Sequence, residues 1–173
     1  MSERYQRWER EVPLAITGDP LWRLEAYRLA VFIADVAWHD VDALARDQRT
    51  LDNSDQLYRA LCSIGANIAE GYSRGSGRDT ARFYGYALGS AREARGFYFH
   101  GRHVVGEDVA LAQIDLLSQI IRLLFVMVRD QRARDVREDE VAYLPEPPAE
   151  TAPETVLHVA DTHAIKRMGS SPM

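Results

Sequence analysis

Cysteine is nearly missing: Cys62 stands alone, which excludes an internal disulfide framework and suits a reducing compartment. Lysine is as scarce, since twenty of the 21 basic residues are arginine. The charged start, MSERYQRWERE, lacks the apolar core of a secretion signal. The longest apolar run, residues 120–128, is broken by Arg122 and falls short of the ~20 residues that a membrane span needs. These absences predict a cytoplasmic protein with no membrane partner. Catalytic signatures are wanting too. The sequence has no GxxxxGK[ST], no cysteine pair for zinc and no Glu-x-x-His pair for a di-iron bundle. His100 and His103, in HGRH, are spaced to share a helix face and to hold a metal, but no second His, Cys or carboxylate pair accompanies them. Cys62 falls in an apolar helical segment and reads as a packing residue. No enzyme, catalytic residue, cofactor or metal is expected.

What remains is ordinary globular material: 173 residues, 46% hydrophobic and 27% charged, enough for one domain with extensions. The net charge of −5 is unevenly spread. Residues 135–154 hold seven acids and one arginine, whereas residues 55–134 hold eleven arginines against eight acids. A basic surface on the body is therefore compatible with an acidic total.

Apolar residues in alternating steps of three and four mark four helices. The first carries Leu24, Tyr27, Val31, Ala34, Trp38, Val41 and Ala45. The second has Leu57, Leu61, Ile64 and Ile68, and the third Phe83, Ala87, Ser90, Ala94, Phe97 and Gly101. In the fourth, Ala110, Ile114, Leu117, Ile121, Leu124 and Val128 form one seam beside a second of Leu116, Ile120, Leu123 and Met127. Such a wide apolar face suits either deep burial or a subunit interface. No segment alternates like a strand. The links are short: DQRTLDN at 47–53, where Asp52, Asn53 or Ser54 can cap the second helix, the loop after Gly71, and Gly106. Gly71 reads as a left-handed helix stop, and Ser76 with Asp79 as a capping box. The fold expected is all-α, an antiparallel up-and-down four-helix bundle over residues 20–134. Residues 1–19 form an N-terminal extension with room for a short helix over 4–12 ended by Pro13. Residues 135–173 read as a largely disordered, acidic, proline-rich tail that can form a short helix at 154–167.

On a helical wheel of about 100° per residue, Arg82, Gly85, Gly89, Arg92, Gly96 and His103 all fall within about 40° of Arg78. Three glycines on one stripe cost roughly 0.5–1 kcal/mol each relative to alanine. The stripe fits three environments: a solvated face with helix salt bridges, a neighbouring helix pressed on the glycines, or a phosphate backbone held by Arg78, Arg82 and Arg92, with Arg74 at its mouth. Tyr72 and Tyr84 are placed to stack on bases or to pack in the core. In SIGANIAEGYSRGS, Asn67 and Glu70 lie one turn apart beside the Ile64–Ile68 seam. They are expected to bond each other, or the turn begun by Gly71, as a structural joint.

Asn67-Ile68-Ala69-Glu70-Gly71, then Arg74 and Ser76, then Arg82-Phe83, Ala87, Gly89-Ser90 and Glu93 resemble the bacterial "four helix bundle protein" family. That family includes proteins encoded within intervening sequences of large ribosomal RNA genes. It is also similar to the accessory variability protein of diversity-generating retroelements. Leu21-Trp22-Arg23-Leu24, Ala26-Tyr27 and Leu29-Ala30 resemble its first helix, so the resemblance covers roughly residues 20–132. It implies an antiparallel four-helix bundle assembled as a homopentamer. It also implies a basic surface for RNA or DNA, a reverse transcriptase partner in the retroelement relatives, and no catalysis. The chain departs from the family in having Ala94, Arg95 and Gly96 where leucines are usual, fewer lysines at the loop, and the acidic tail.

Together these features point to an oligomeric, non-enzymatic module that binds nucleic acid, RNA before DNA, through Arg74, Arg78, Arg82 and Arg92. The alternative is a protein-interaction scaffold whose acidic tail recruits a partner or covers the basic strip.

Overall fold

The computed structural model describes residues 3–142, with side chains through Arg134. The described residues are all-helical and contain no strand. In chain order they form α1 (Glu3–Glu11), α2 (Leu14–Thr17), a 3-10 turn (Pro20–Arg23), α3 (Glu25–Val36), α4 (Trp38–Arg46), α5 (Leu51–Tyr72), α6 (Gly77–Val105) and α7 (Glu107–Ala142). The described residues belong to one compact unit. The tail expected to be disordered lies, from residue 143 on, outside the described residues, while its first part continues α7.

α6 packs along α7 on one side and α5 on the other, and α3 closes the circuit by meeting both α5 and α7. The second and fourth seams are where their spacing puts them. Leu57, Leu61, Ile64 and Ile68 are fully buried, as are Leu117, Ile120 and Leu124. Burying each such side chain contributes roughly 1.5–3 kcal/mol. Gly106 is the whole link between α6 and α7, and its φ of 93° is a backbone that L side chains rarely adopt.

Three expectations shift. The first helix divides at Ala37, and the buried set of its two halves is Ala26, Leu29, Ala30, Phe32, Ile33, Ala37 and Leu44; Trp38 is 61% exposed. The heptad template fails here because α3 meets α1, α5 and α7 on different sides, so its apolar residues surround the helix. In α6 the buried aromatics are Tyr84 and Tyr98, and Phe83 and Phe97, one position earlier, stay half-buried. Aromatic doublets at 83–84 and 97–98 make both registers apolar, and tertiary partners choose between them. The N-terminal helix belongs to the body: Tyr5 is buried edge-on to Phe32, and the Trp8 Nε1 donates to Asp35 at 2.8 Å.

Smaller corrections follow from local bonding. α5 starts at Leu51, which puts Asp52, Asn53 and Ser54 inside its first turn. Thr50 precedes it with its hydroxyl turned back to the Leu44 carbonyl at 2.7 Å. Cys62 is exposed, one position round the helix from the Leu61 seam. α7 is long and apolar enough over Glu107–Arg134 to cross a bilayer by length and composition, whereas the 120–128 run within it is too short by itself. It carries Asp115 and Arg122 within that stretch and packs against α6 and α3.

Candidate nucleic-acid interface

The joint after NIAEG is built differently from its sequence pattern. α5 runs through Gly71 to Tyr72, and its final N–H bonds come from Ser73 to the Ala69 and Glu70 carbonyls. Gly71 is buried in helical conformation, because a Cβ there would lie 2.8 Å from the Tyr84 ring and 3.1 Å from the Phe83 Cβ. Its smallness lets α6 approach α5; it does not end the helix. Asn67 and Glu70 do not bond each other. The Asn67 Nδ2 donates to the Ser63 carbonyl one turn back at 2.8 Å, and Glu70 forms an ion pair with Arg74. Ser76 starts α6 by accepting the Asp79 N–H at 3.2 Å, while its hydroxyl meets the Asp79 carboxylate.

Residues 71–75, GYSRG, match the G-x-S-x-G pattern of a nucleophile elbow. That motif needs a strand leading into a helix and a base beside the serine. Here Ser73 ends a helix and donates its hydroxyl to the Ala69 carbonyl at 3.0 Å. Among the described residues no group of three His, Cys, Asp or Glu is placed to hold a metal, His100 and His103 included.

Beyond the joint, Arg74 and Arg82 converge on one aromatic ring. Their guanidinium carbons lie 4.7 and 5.3 Å from the Phe83 centroid, within cation–π range. Each also meets a carboxylate, Arg74 that of Glu70 and Arg82 that of Asp79 at 3.2 Å. Tyr86 stands edge-to-face against Phe83, 5.8 Å between centroids, and is 54% exposed. Tyr84 is buried, so of the two tyrosines expected to stack on bases only Tyr72, 44% exposed, has a free surface. Nothing in its spacing marks Tyr86, whose setting depends on where the Phe83 ring turns.

The arginine strip is not continuous. Arg92 is exposed and sits ten positions along α6 from Arg82, about 15 Å by helical rise, beside a groove of about 380 Å³ between α6 and α7. The groove is lined by Arg92, Arg95, Gly96, Phe99, Ile114 and Ser118, with the Arg95 Nη1 donating to Ser118 at 3.3 Å. Glu93 is exposed on the same stretch of α6. Gly85, Gly89 and Gly96 have no atom within 4 Å of a would-be Cβ, so no helix of the described chain presses on them.

The other end of α6 gains charge from α7. Folding back at Gly106 sets Arg129 about as far after the turn as Arg82 lies before it, so Arg129, Arg132 and Arg134 come level with Arg78 and Arg82. All three are exposed, with Arg129 beside Asp130 at 3.4 Å. Nothing in their own spacing marks them. Only the hairpin between α6 and α7 brings them to the height of Arg78 and Arg82.

The family model described as 23S rRNA-intervening sequence protein matches residues 23–123. The chain belongs to this family. The matched span runs from the end of the 3-10 turn into α7 and includes Arg74, Arg78, Arg82, Phe83, Tyr86 and Arg92. The family match stops short of Arg129, Arg132 and Arg134, and of α1. No curated protein and no solved structure matches this chain.

Proposed function

We propose that this chain is a non-enzymatic, oligomeric module that binds RNA at the end of its helical body where α5 turns into α6. The observation that carries the proposal is the convergence of Arg74 and Arg82 on Phe83, at the end of α6 that also carries Arg78 and, counted back from the Gly106 turn, lies level with Arg129, Arg132 and Arg134 of α7. Six arginines at one level supply phosphate contacts from three segments of chain, and arginine's planar fork suits phosphate oxygens. The family's tie to 23S rRNA genes favours RNA as the partner. Glu70 and Asp79 hold Arg74 and Arg82 in surface ion pairs worth only about 0–1 kcal/mol, which a phosphate can replace.

In the same proposal the architecture is an antiparallel up-and-down four-helix bundle, with α3 and α4 together as one rod. The oligomer forms over α7. Leu111, Phe125 and Val126 on α7 are 54%, 58% and 44% exposed, large apolar side chains that a partner subunit would cover.

Equilibrium binding to structured RNA across a salt series tests the reading. Affinity falls steeply with salt if several phosphates are neutralised. The Arg78→Glu/Arg82→Glu double variant loses binding while keeping its helical circular dichroism. Binding that is undetectable, or indifferent to salt, ends the proposal. Sedimentation velocity reads the oligomer directly.

A further inference from the structure

From the cluster of Arg74, Arg82, Phe83 and Tyr86, we infer that the site takes unpaired nucleotides, stacking one base on the Tyr86 ring. The inference rests on the RNA-binding function proposed above and narrows it from nucleic acid in general to single-stranded stretches. Four observations support it together. Tyr86 is 54% exposed although it lies at the middle of a structured helix, and its one ring contact is the perpendicular Phe83. Phe83 in turn is engaged by two guanidinium groups, so the tyrosine is fixed beside positive charge and has no charge of its own to satisfy. Next along this side of α6, Gly89 carries no side chain and has nothing within 4 Å of a would-be Cβ. A helical side chain leans towards the N-terminal turn, so Tyr86 leans towards Arg82 and Phe83 and turns its other flank to the bare glycine. A planar base can enter over Gly89 without displacing any side chain.

The charge arrangement fits the same occupant. A base on Tyr86 brings its own sugar-phosphate alongside Arg82, one helical turn away, and Arg74 on the far side of Phe83 meets the next phosphate. Aromatic stacking combined with backbone neutralisation is how single strands are held with little base preference. An intact duplex has its bases stacked on each other, so it offers the tyrosine no free face.

Three probes of equal length test this: a short single-stranded RNA, the same sequence annealed into a duplex, and an abasic backbone of identical charge. At one low salt concentration the wild-type chain binds the single strand about tenfold more tightly than the abasic backbone, the scale expected of one stacked base. Tyr86→Ala removes that preference and leaves affinity for the abasic backbone unchanged, and Tyr86→Phe restores it. Arg82→Glu weakens all three probes. Equal affinity for single-stranded and abasic probes, or an unchanged preference in Tyr86→Ala, overturns the stacking inference while leaving the arginine interface standing. Failure of every probe to bind at low salt overturns both. Tyr86 is exposed, and unchanged thermal unfolding of the alanine variant keeps the comparison on binding.

Discussion

The Tyr98 hydroxyl donates to the Asp40 carboxylate at 3.0 Å across 58 positions of sequence, joining the middle of the body from α4 to α6. The same Asp40 oxygen accepts from the Gln113 Nε2 of α7, also at 3.0 Å, so one carboxylate ties three helices. Tyr98 is fully buried and Gln113 nearly so. Buried polar groups persist where they are satisfied, and this trio fixes which face of α6 turns inward.

Tyr98→Phe keeps the ring and removes the donor. It leaves the carboxylate with the Gln113 hydrogen bond, and unfolding free energy in urea is expected to fall by about 1–3 kcal/mol with an unchanged m-value.

Alkaline pH reads the same group. Burial, then the charge of Asp40 and its hydrogen bond, raise the Tyr98 pKa above the ordinary phenol value of 10.0. The unfolded chain therefore loses this proton first, so stability is complete below pH about 10 and declines as pH rises beyond it. Tyr5, pushed up to about 12 by burial and by Glu9, adds a second contribution of the same sign. Melting temperature measured from pH 8 to 11 drops in the wild type and drops less in Tyr98→Phe.

The glycines divide by what surrounds them. Gly71→Ala forces a methyl into the Tyr84 ring and costs about 1–3 kcal/mol. Gly89→Ala meets nothing in the chain, so helix propensity makes it stabilising by about 0.5–1 kcal/mol in the monomer. If a second copy seats on this side of α6, the same substitution weakens self-association, which sedimentation at several concentrations distinguishes from the stability change.

Glu70→Gln separates joint from interface. The Glu70–Arg74 pair is about half exposed on both sides, so its loss moves stability by no more than about 1 kcal/mol. Freeing Arg74 beside Phe83 tightens RNA by up to about fivefold at low salt, the same energy transferred to binding. Fluorescence anisotropy against a labelled RNA decides it; a large loss of stability with unchanged affinity would show that Glu70 serves the fold.

The second helix was legible because Leu57–Leu61–Ile64–Ile68 is a single large apolar seam, and the fourth because its two adjacent seams leave one side apolar in either register, with Leu117, Ile120 and Leu124 all buried. The first and third were legible as helices but not in register. Around α3 apolar residues face several helices at once, and α6 offers two aromatic registers one step apart. Gly71 misled for a related reason. A glycine near a helix end fits a left-handed stop and a close crossing equally well, and only the position of Tyr84 separates them.

By itself, the sequence determined that the chain is helical, where its principal turns fall, that Ser76 begins α6, and that it belongs with the intervening-sequence proteins. These are properties of local periodicity, capping and short motifs. Tertiary structure alone decided that Tyr98 rather than Phe97 is core, that Glu70 pairs with Arg74, and that Arg129, Arg132 and Arg134 share a level with Arg78 and Arg82. Each of these depends on which surfaces meet when α6 folds back along α7, and a pattern within one helix carries no record of its neighbour.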